Sequence, residues 1–170
     1  MLTEPVIFLD FTGVLEPPAY PAALGRPVEG LNLRLSFELD EPVLADIDNR
    51  VVNAVKNQFD PAACAYVQKL VSEYHASIVI TSSWRIFHPL SQLRALLKIH
   101  HISHVEGVLP PGSVRSELIR AYLRTHQISR YIILDDMDLS KPFGIHYINC
   151  QGGLGLSQYE MARSFLRMQS

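Results

Sequence analysis

Three short apolar runs, each ending in a cluster of polar or acidic residues, constrain this chain more than any other feature. Val6-Ile7-Phe8-Leu9 ends in Asp10, with Gly13 three residues on; Ser77-Ile78-Val79-Ile80 runs into Thr81-Ser82-Ser83-Trp84-Arg85; Tyr131-Ile132-Ile133-Leu134 runs into Asp135-Asp136. Runs this short and this apolar read as strands buried on both faces, the pattern of a parallel sheet covered by helices. A parallel sheet brings the C-terminal ends of its strands to one edge, where open α/β folds build their sites. Each motif alone has a plainer reading. Asp10 and Gly13 could form an ordinary turn with a positive φ, Asp135-Asp136 could be another, and Thr81, Ser82 and Ser83 could cap a following helix. Packing gives no reason for all three runs to end this way together.

The intervening segments fit an alternating α/β architecture. Asp60-Pro61 reads as an N-cap followed by proline at the first helical position, with Ala65, Val67, Leu70 and Val71 marking one face. Leu90 to Lys98 reads as a helix and Val105 to Val108 as a short strand. Ser113 to His126 reads as a helix capped by Ser113, with Leu118, Ile119, Tyr122 and Leu123 inward. Ile145 to Asn149 is a fourth strong strand, beside the opening three and the short Val105 to Val108. Ser157 to Arg167 closes the pattern as a helix, with Ser157 and Glu160 spaced as a capping box. Residues 16–58 interrupt the alternation. They begin Pro- and Gly-rich, and Asn32 to Leu39 alternates polar and apolar like a half-buried strand; a short helix is expected within 43–56. The expected fold is one α/β domain spanning 1–170, a three-layer α/β/α sandwich around a mostly parallel Rossmann-like sheet, with 16–58 as a small inserted cap.

With 48% hydrophobic and 19% charged residues among 170, the chain can bury an ordinary globular core. A net charge of −2 gives no global field toward nucleic acid or membrane, although it leaves room for a local basic rim. Cys64 and Cys150 lie far apart in no metal or redox spacing, so two free thiols in a reducing compartment are expected. No basic region precedes a long apolar core and no run approaches membrane-spanning length. A cytoplasmic protein with no membrane partner is the expectation.

In their order, these motifs resemble the haloacid dehalogenase (HAD)-like phosphohydrolases. The resemblance covers the opening strand and nearly everything from Phe59 onward. It is closest to the HAD domain of Swiss-army-knife RNA-repair proteins, through Phe59-Asp60-Pro61, Ser82-Ser83-Trp84-Arg85, Arg115-Ser116-Glu117-Leu118-Ile119, Asp135-Asp136 and Gly153-Leu154-Gly155-Leu156. It implies that Asp10 is a phosphoryl-accepting nucleophile and that Thr81, with Ser82 beside it, holds the phosphoryl group. It implies further that Arg115 neutralises that group and that Asp135 and Asp136 join Asp10 and the Thr12 carbonyl around Mg²⁺. Arg115 could instead be one of several solvated charges on a helix that also carries Arg120 and Arg124.

Elementary chemistry supports the same roles. Phosphoryl transfer needs an in-line nucleophile, a hard cation and donors for the equatorial oxygens. Carboxylates are the ligands Mg²⁺ prefers, and three of them converging without a cation would repel one another.

The chain departs from the usual phosphatase pattern at Thr12. An aspartate two residues after the nucleophile ordinarily protonates the leaving group and then deprotonates the attacking water, and a threonine hydroxyl can do neither. Asp-x-Thr-Gly resembles the motif of P-type ion pumps, in which the phospho-aspartate persists. The implied functions are a slow phosphatase, one restricted to good leaving groups, a phosphotransferase, or a catalytically weak phosphate-binding and protein-interaction module. A small cap implies a macromolecular phosphate, on a nucleic-acid end or a phosphoprotein. Other motifs carry less. His100, His101, His104 and Glu106 fit a solvated corner better than a metal site, and Gly152-Gly153-Leu154-Gly155 lacks the Lys-Ser/Thr of a P-loop. Lys141-Pro142 is weak evidence for a receiver domain, whose acid pair ends the first strand.

Overall fold

The structure, a computed structural model, describes residues 4–17 and 26–170. Its centre is a five-stranded sheet of β1 (Val6–Leu9), β2 (Ser77–Ile80), β3 (Val105–Val108), β4 (Tyr131–Asp135) and β5 (Tyr147–Asn149), in the order β3-β2-β1-β4-β5. All four pairings are parallel, so the sheet is wholly rather than mostly parallel. β1 lies in the middle, with Leu9 level with Ile80 on one side and Leu134 on the other. That register puts Asp10, Thr81 and Asp135 at neighbouring strand ends.

Alternation along each strand divides the core into two layers. Ile7, Leu9, Ile78, Ile80, Ile132 and Leu134 face one way, into a cluster with Val67 and Leu70 of α3 (Pro61–Tyr74), Leu93 and Leu96 of α5 (Leu90–Lys98) and Ala162 and Leu166 of α8 (Leu156–Met168). Phe8, Val79 and Ile133 face the other way, against Ile119 of α6 (Arg115–Thr125) and Phe143 of α7 (Ser140–Phe143). A sheet with helices on both faces is the three-layer α/β arrangement read from the sequence.

The segment before α3 differs from its reading. Asn32 to Leu39 is not a strand: α1 spans Leu31–Glu38, entered from Gly30 at φ +68°. The burial follows a helical spacing, with Leu31 and Leu35 inside while Leu33 and Phe37 are 61% and 91% exposed. Alternation at Leu33, Leu35 and Phe37 was therefore a coincidence of composition, and the good helix formers Leu, Arg and Glu prevail. The helix expected within 43–56 is two pieces, a 3₁₀ turn at Pro42–Asp46 and α2 at Asn49–Gln58, whose N-cap Asp48 accepts from the Arg50 N–H. Leu44, Ile47, Val52 and Val55 join the cluster beneath α3 and α5, so 26–58 is built into the core. Pro18, Pro21 and Gly25 of the same segment lie outside the described residues.

Two helix boundaries and a strand also shift. α6 begins at Arg115 behind Val114, with no side-chain cap, so Ser113 is not one. α8 begins at Leu156, and Gln158 rather than Glu160 reaches back, accepting from the Gly155 N–H at 3.1 Å. Residues 144–146 form a 3₁₀ turn, which shortens β5. Asp60 caps α3 as expected. Cys64 and Cys150 are free and buried, and burial pushes both thiols up to about 12. Among the described residues, no helix is long and apolar enough to cross a membrane.

Candidate active site

β1 delivers Asp10 to the sheet edge and the chain then turns at once. The Glu16 N–H donates to Phe11 O at 3.1 Å and the Gly13 N–H to Glu16 O at 2.8 Å, which lays Glu16 beside Thr12 as an isolated bridge. Gly13 has φ +85°, and a Cβ there would lie 2.1 Å from Asp136 Oδ2. This glycine both makes the turn and leaves room for a carboxylate.

The carboxylates converge. Asp10, Asp135 and Asp136 each offer an oxygen within 4.8 Å of the others, and no other such group of metal-capable side chains occurs among the described residues. Each oxygen of Asp10 has a donor: the Phe11 N–H reaches Oδ1 at 2.9 Å and Arg115 Nη1 reaches Oδ2 at 3.2 Å. The same Nη1 donates to Asp135 Oδ2 at 2.7 Å, while the Met137 N–H holds Asp135 Oδ1 at 2.9 Å. Arg115 is thus no solvated charge. It is bound to two buried acids from the first turn of α6.

One guanidinium does not balance three carboxylates. Burial raises the Asp10 carboxyl to about 6, against the pull of Arg115 and with a push from Asp135. Burial raises Asp135 as well, again opposed by Arg115. Oxygen donors with surplus negative charge in a desolvated corner suit a hard divalent cation, whose charge would reverse both shifts. The donor set therefore fits Mg²⁺.

Thr81 supplies a second observation of fit. Its N–H donates to Leu9 O at 2.9 Å, which fixes it beside the Asp10 strand, yet its hydroxyl is fully buried and has no hydrogen-bond partner among the described residues. Buried hydroxyls are nearly always paired, so an unpartnered one at the strand end next to that of Asp10 fits a site for a group that brings its own acceptor. Ser82 is equally buried, but its Oγ has a partner, accepting from the Trp84 N–H at 3.3 Å. The helix that follows, α4, is a single turn at Trp84–Phe87. Thr12 is exposed.

Arg85 received no separate role in the sequence analysis, although it lies in the motif. Its guanidinium donates to the carbonyls of Thr81 (2.8 Å), Ser82 (3.0 Å), Leu109 (3.0 Å) and Pro110 (3.4 Å), tying the loop after β2 to the loop after β3. An arginine four residues past the strand-end hydroxyl was the only hint available. The histidines build no site. His100 is buried, stacked on Phe59 and bonded to Val55 O at 2.7 Å, and no grouping of His101, His104 and Glu106 as ligands occurs among the described residues.

A wholly parallel sheet whose first strand ends in a buried aspartate, with an acid cluster at one edge, defines a HAD-like α/β protein. The chain belongs to the family described as the HAD domain in Swiss Army Knife RNA repair proteins, which it matches over residues 6–161. HAD domains are generally hydrolases that use Mg²⁺. No curated protein and no solved structure matches the chain.

Proposed function

We propose that the protein is a Mg²⁺-dependent phosphohydrolase or phosphotransferase that works through an aspartyl-phosphate on Asp10, and that its substrate is a phosphorylated macromolecule. The observation that carries this reading is the orphaned Thr81 hydroxyl beside the buried Asp10–Arg115–Asp135 cluster, an acceptor-seeking group next to a held nucleophile.

In this reading Asp10, Asp135, Asp136 and the Thr12 carbonyl hold Mg²⁺, which when bound neutralises the carboxylates and the phosphate oxygens. The Thr81 hydroxyl, with Ser82 beside it, donates to one equatorial oxygen, and Arg115 faces the charge that develops on the others. An Asp10 oxygen attacks phosphorus. The bond to the leaving oxygen breaks, and that oxygen departs with the electron pair and takes its proton from water. Water or another acceptor then attacks the phosphorus, breaking the acyl phosphate and restoring the carboxylate. With Thr12 exposed and carrying only a hydroxyl, neither proton transfer has a carboxylic acid at the usual position. Slow turnover and a preference for good leaving groups follow.

The same feature favours a second reading, a phosphate-binding module that turns over nothing. Incubation with an activated aryl phosphate and Mg²⁺, followed by mass spectrometry, separates the two. The proposal expects a phosphoryl adduct on Asp10 in wild type and none in Asp10→Asn. Turnover that survives in Asp10→Asn overturns covalent catalysis there, and phosphate binding with neither adduct nor turnover supports the module.

A further inference from the structure

The loop that presents Thr81 and Ser82 continues directly into a cleft that phosphoryl chemistry does not use. Trp84, Phe87, His88 and Ser83 form one side and α2, with Asp48 and Arg50 at its start, forms the other; the cleft encloses about 570 Å³, within the range of small-molecule sites. At about 3.8 Å per residue, Trp84 lies no more than about 11 Å from Thr81 along the chain. Its ring is anchored from behind, edge-on to Phe11 and Phe59 at 5.7 Å each, while His88 lies 5.8 Å away at a tilt. Phe87 is 78% exposed. Core packing does not require an aromatic ring there, and water disfavours one.

We propose that this cleft is the subsite for the nucleoside that carries the phosphate, with Trp84 and Phe87 as its stacking faces and the Asp48–Arg50 pair at the rim for base edges. This rests on the phosphoryl-transfer reading of Asp10 and Thr81 and adds where on this chain a nucleoside would be held. Two features favour a nucleoside over a phosphopeptide. A base needs only an aromatic face, which every base can use. An extended peptide needs unpaired backbone groups to bind, and the cleft walls are largely helical, α2 and the single turn of α4, whose backbone groups bond within their own turns. The rim also suits a base edge. Asp48 accepts from Arg50 Nη2 at 2.9 Å, from its Nε at 3.3 Å and from its backbone N–H at 2.8 Å, which leaves the Nη1 donors of that exposed pair for a ligand.

Trp84 is the chain's single tryptophan, so its fluorescence reports on the cleft. Asp10→Asn, which removes turnover, is titrated in Mg²⁺ with a trinucleotide phosphorylated at its 5′ end, the same trinucleotide phosphorylated at its 3′ end, ribose 5-phosphate, and a phosphoserine peptide. At least one trinucleotide is expected to quench Trp84 and to bind more tightly than ribose 5-phosphate. Phe87→Ala in the same background should weaken that binding by about 5- to 140-fold, the range of a lost base stack, and leave ribose 5-phosphate unchanged. Phe87 is too exposed for this change to unfold the protein. Equal binding of trinucleotides and ribose 5-phosphate, no effect of Phe87→Ala, or a Phe87 dependence shown by the phosphopeptide alone would each overturn the subsite. A wild-type protein that binds trinucleotides through Phe87 yet forms no Asp10 adduct would overturn the catalytic reading and leave the subsite standing.

Discussion

Thr12 and Gly13 differ in what they tolerate. Thr12 is exposed beside Glu16, so an aspartate fits there without displacing a neighbour. Under the proposed mechanism Thr12→Asp supplies the missing acid and base, and turnover of an alkyl phosphate is expected to rise toward the 10²–10⁴-fold range of general acid–base catalysis. Steady-state rates on alkyl and aryl phosphates check this: the gain should be larger for the poorer leaving group. Gly13→Ala should do the opposite. A methyl group 2.1 Å from Asp136 Oδ2, at φ +85°, forces the carboxylate aside. The expected outcome is a loss of about 1–3 kcal/mol in stability together with a smaller thermal shift on adding Mg²⁺, both readable by calorimetry.

Among the elements, the loops after β2 and β3 depend on one side chain. Arg85 bonds four carbonyls across them, three of these bonds partly buried, so Arg85→Met leaves those acceptors unpaired and should cost about 1–3 kcal/mol in urea denaturation, while the Thr81 hydroxyl loses its fixed position. A variant as stable as wild type would show that the loops hold themselves. How much was legible at this scale depended on burial. β1, β2 and β4 are buried on both faces, so their apolar runs could be read directly, as could the acids that end them. Residues 32–39 were misread because Leu33 and Phe37 are apolar yet exposed, which imitates a strand. Arg115 could be placed at a helix start, but its reach to Asp10 and Asp135 depends on how α6 lies across the sheet, information held in long-range packing rather than in neighbouring residues. Arg85 bonds main-chain carbonyls, which every residue has, and so left no partner to find.

For the whole molecule, the acid cluster couples folding to pH and metal. Asp10 titrates at 3.8 when unperturbed and at about 6 in the fold. In chelator the folded state therefore retains the extra proton between those values. Its stability should fall as pH rises from about 4 through about 6, by on the order of 3 kcal/mol from this buried group. Asp135 acts in the same direction. Millimolar Mg²⁺ should restore the loss, raising the melting temperature more at pH 8 than at pH 5. Asp10→Asn, lacking the strained carboxylate, should melt higher than wild type in chelator at pH 8 and respond less to Mg²⁺. A wild-type melting temperature indifferent to both pH and Mg²⁺ would show that the cluster carries no such cost.

The strand order has a consequence for how the chain reaches this state. β1, first in sequence, takes the central place and needs β2 on one flank and β4, beginning at Tyr131, on the other. During synthesis the β1–β2 pair must wait, the β1 edge unpaired, until β4 has emerged. Contacts of such separation make folding slow and leave partly made sheets open to association. Nascent chains arrested before Tyr131 should therefore bind holdase chaperones, and release them once β4 has cleared the ribosome.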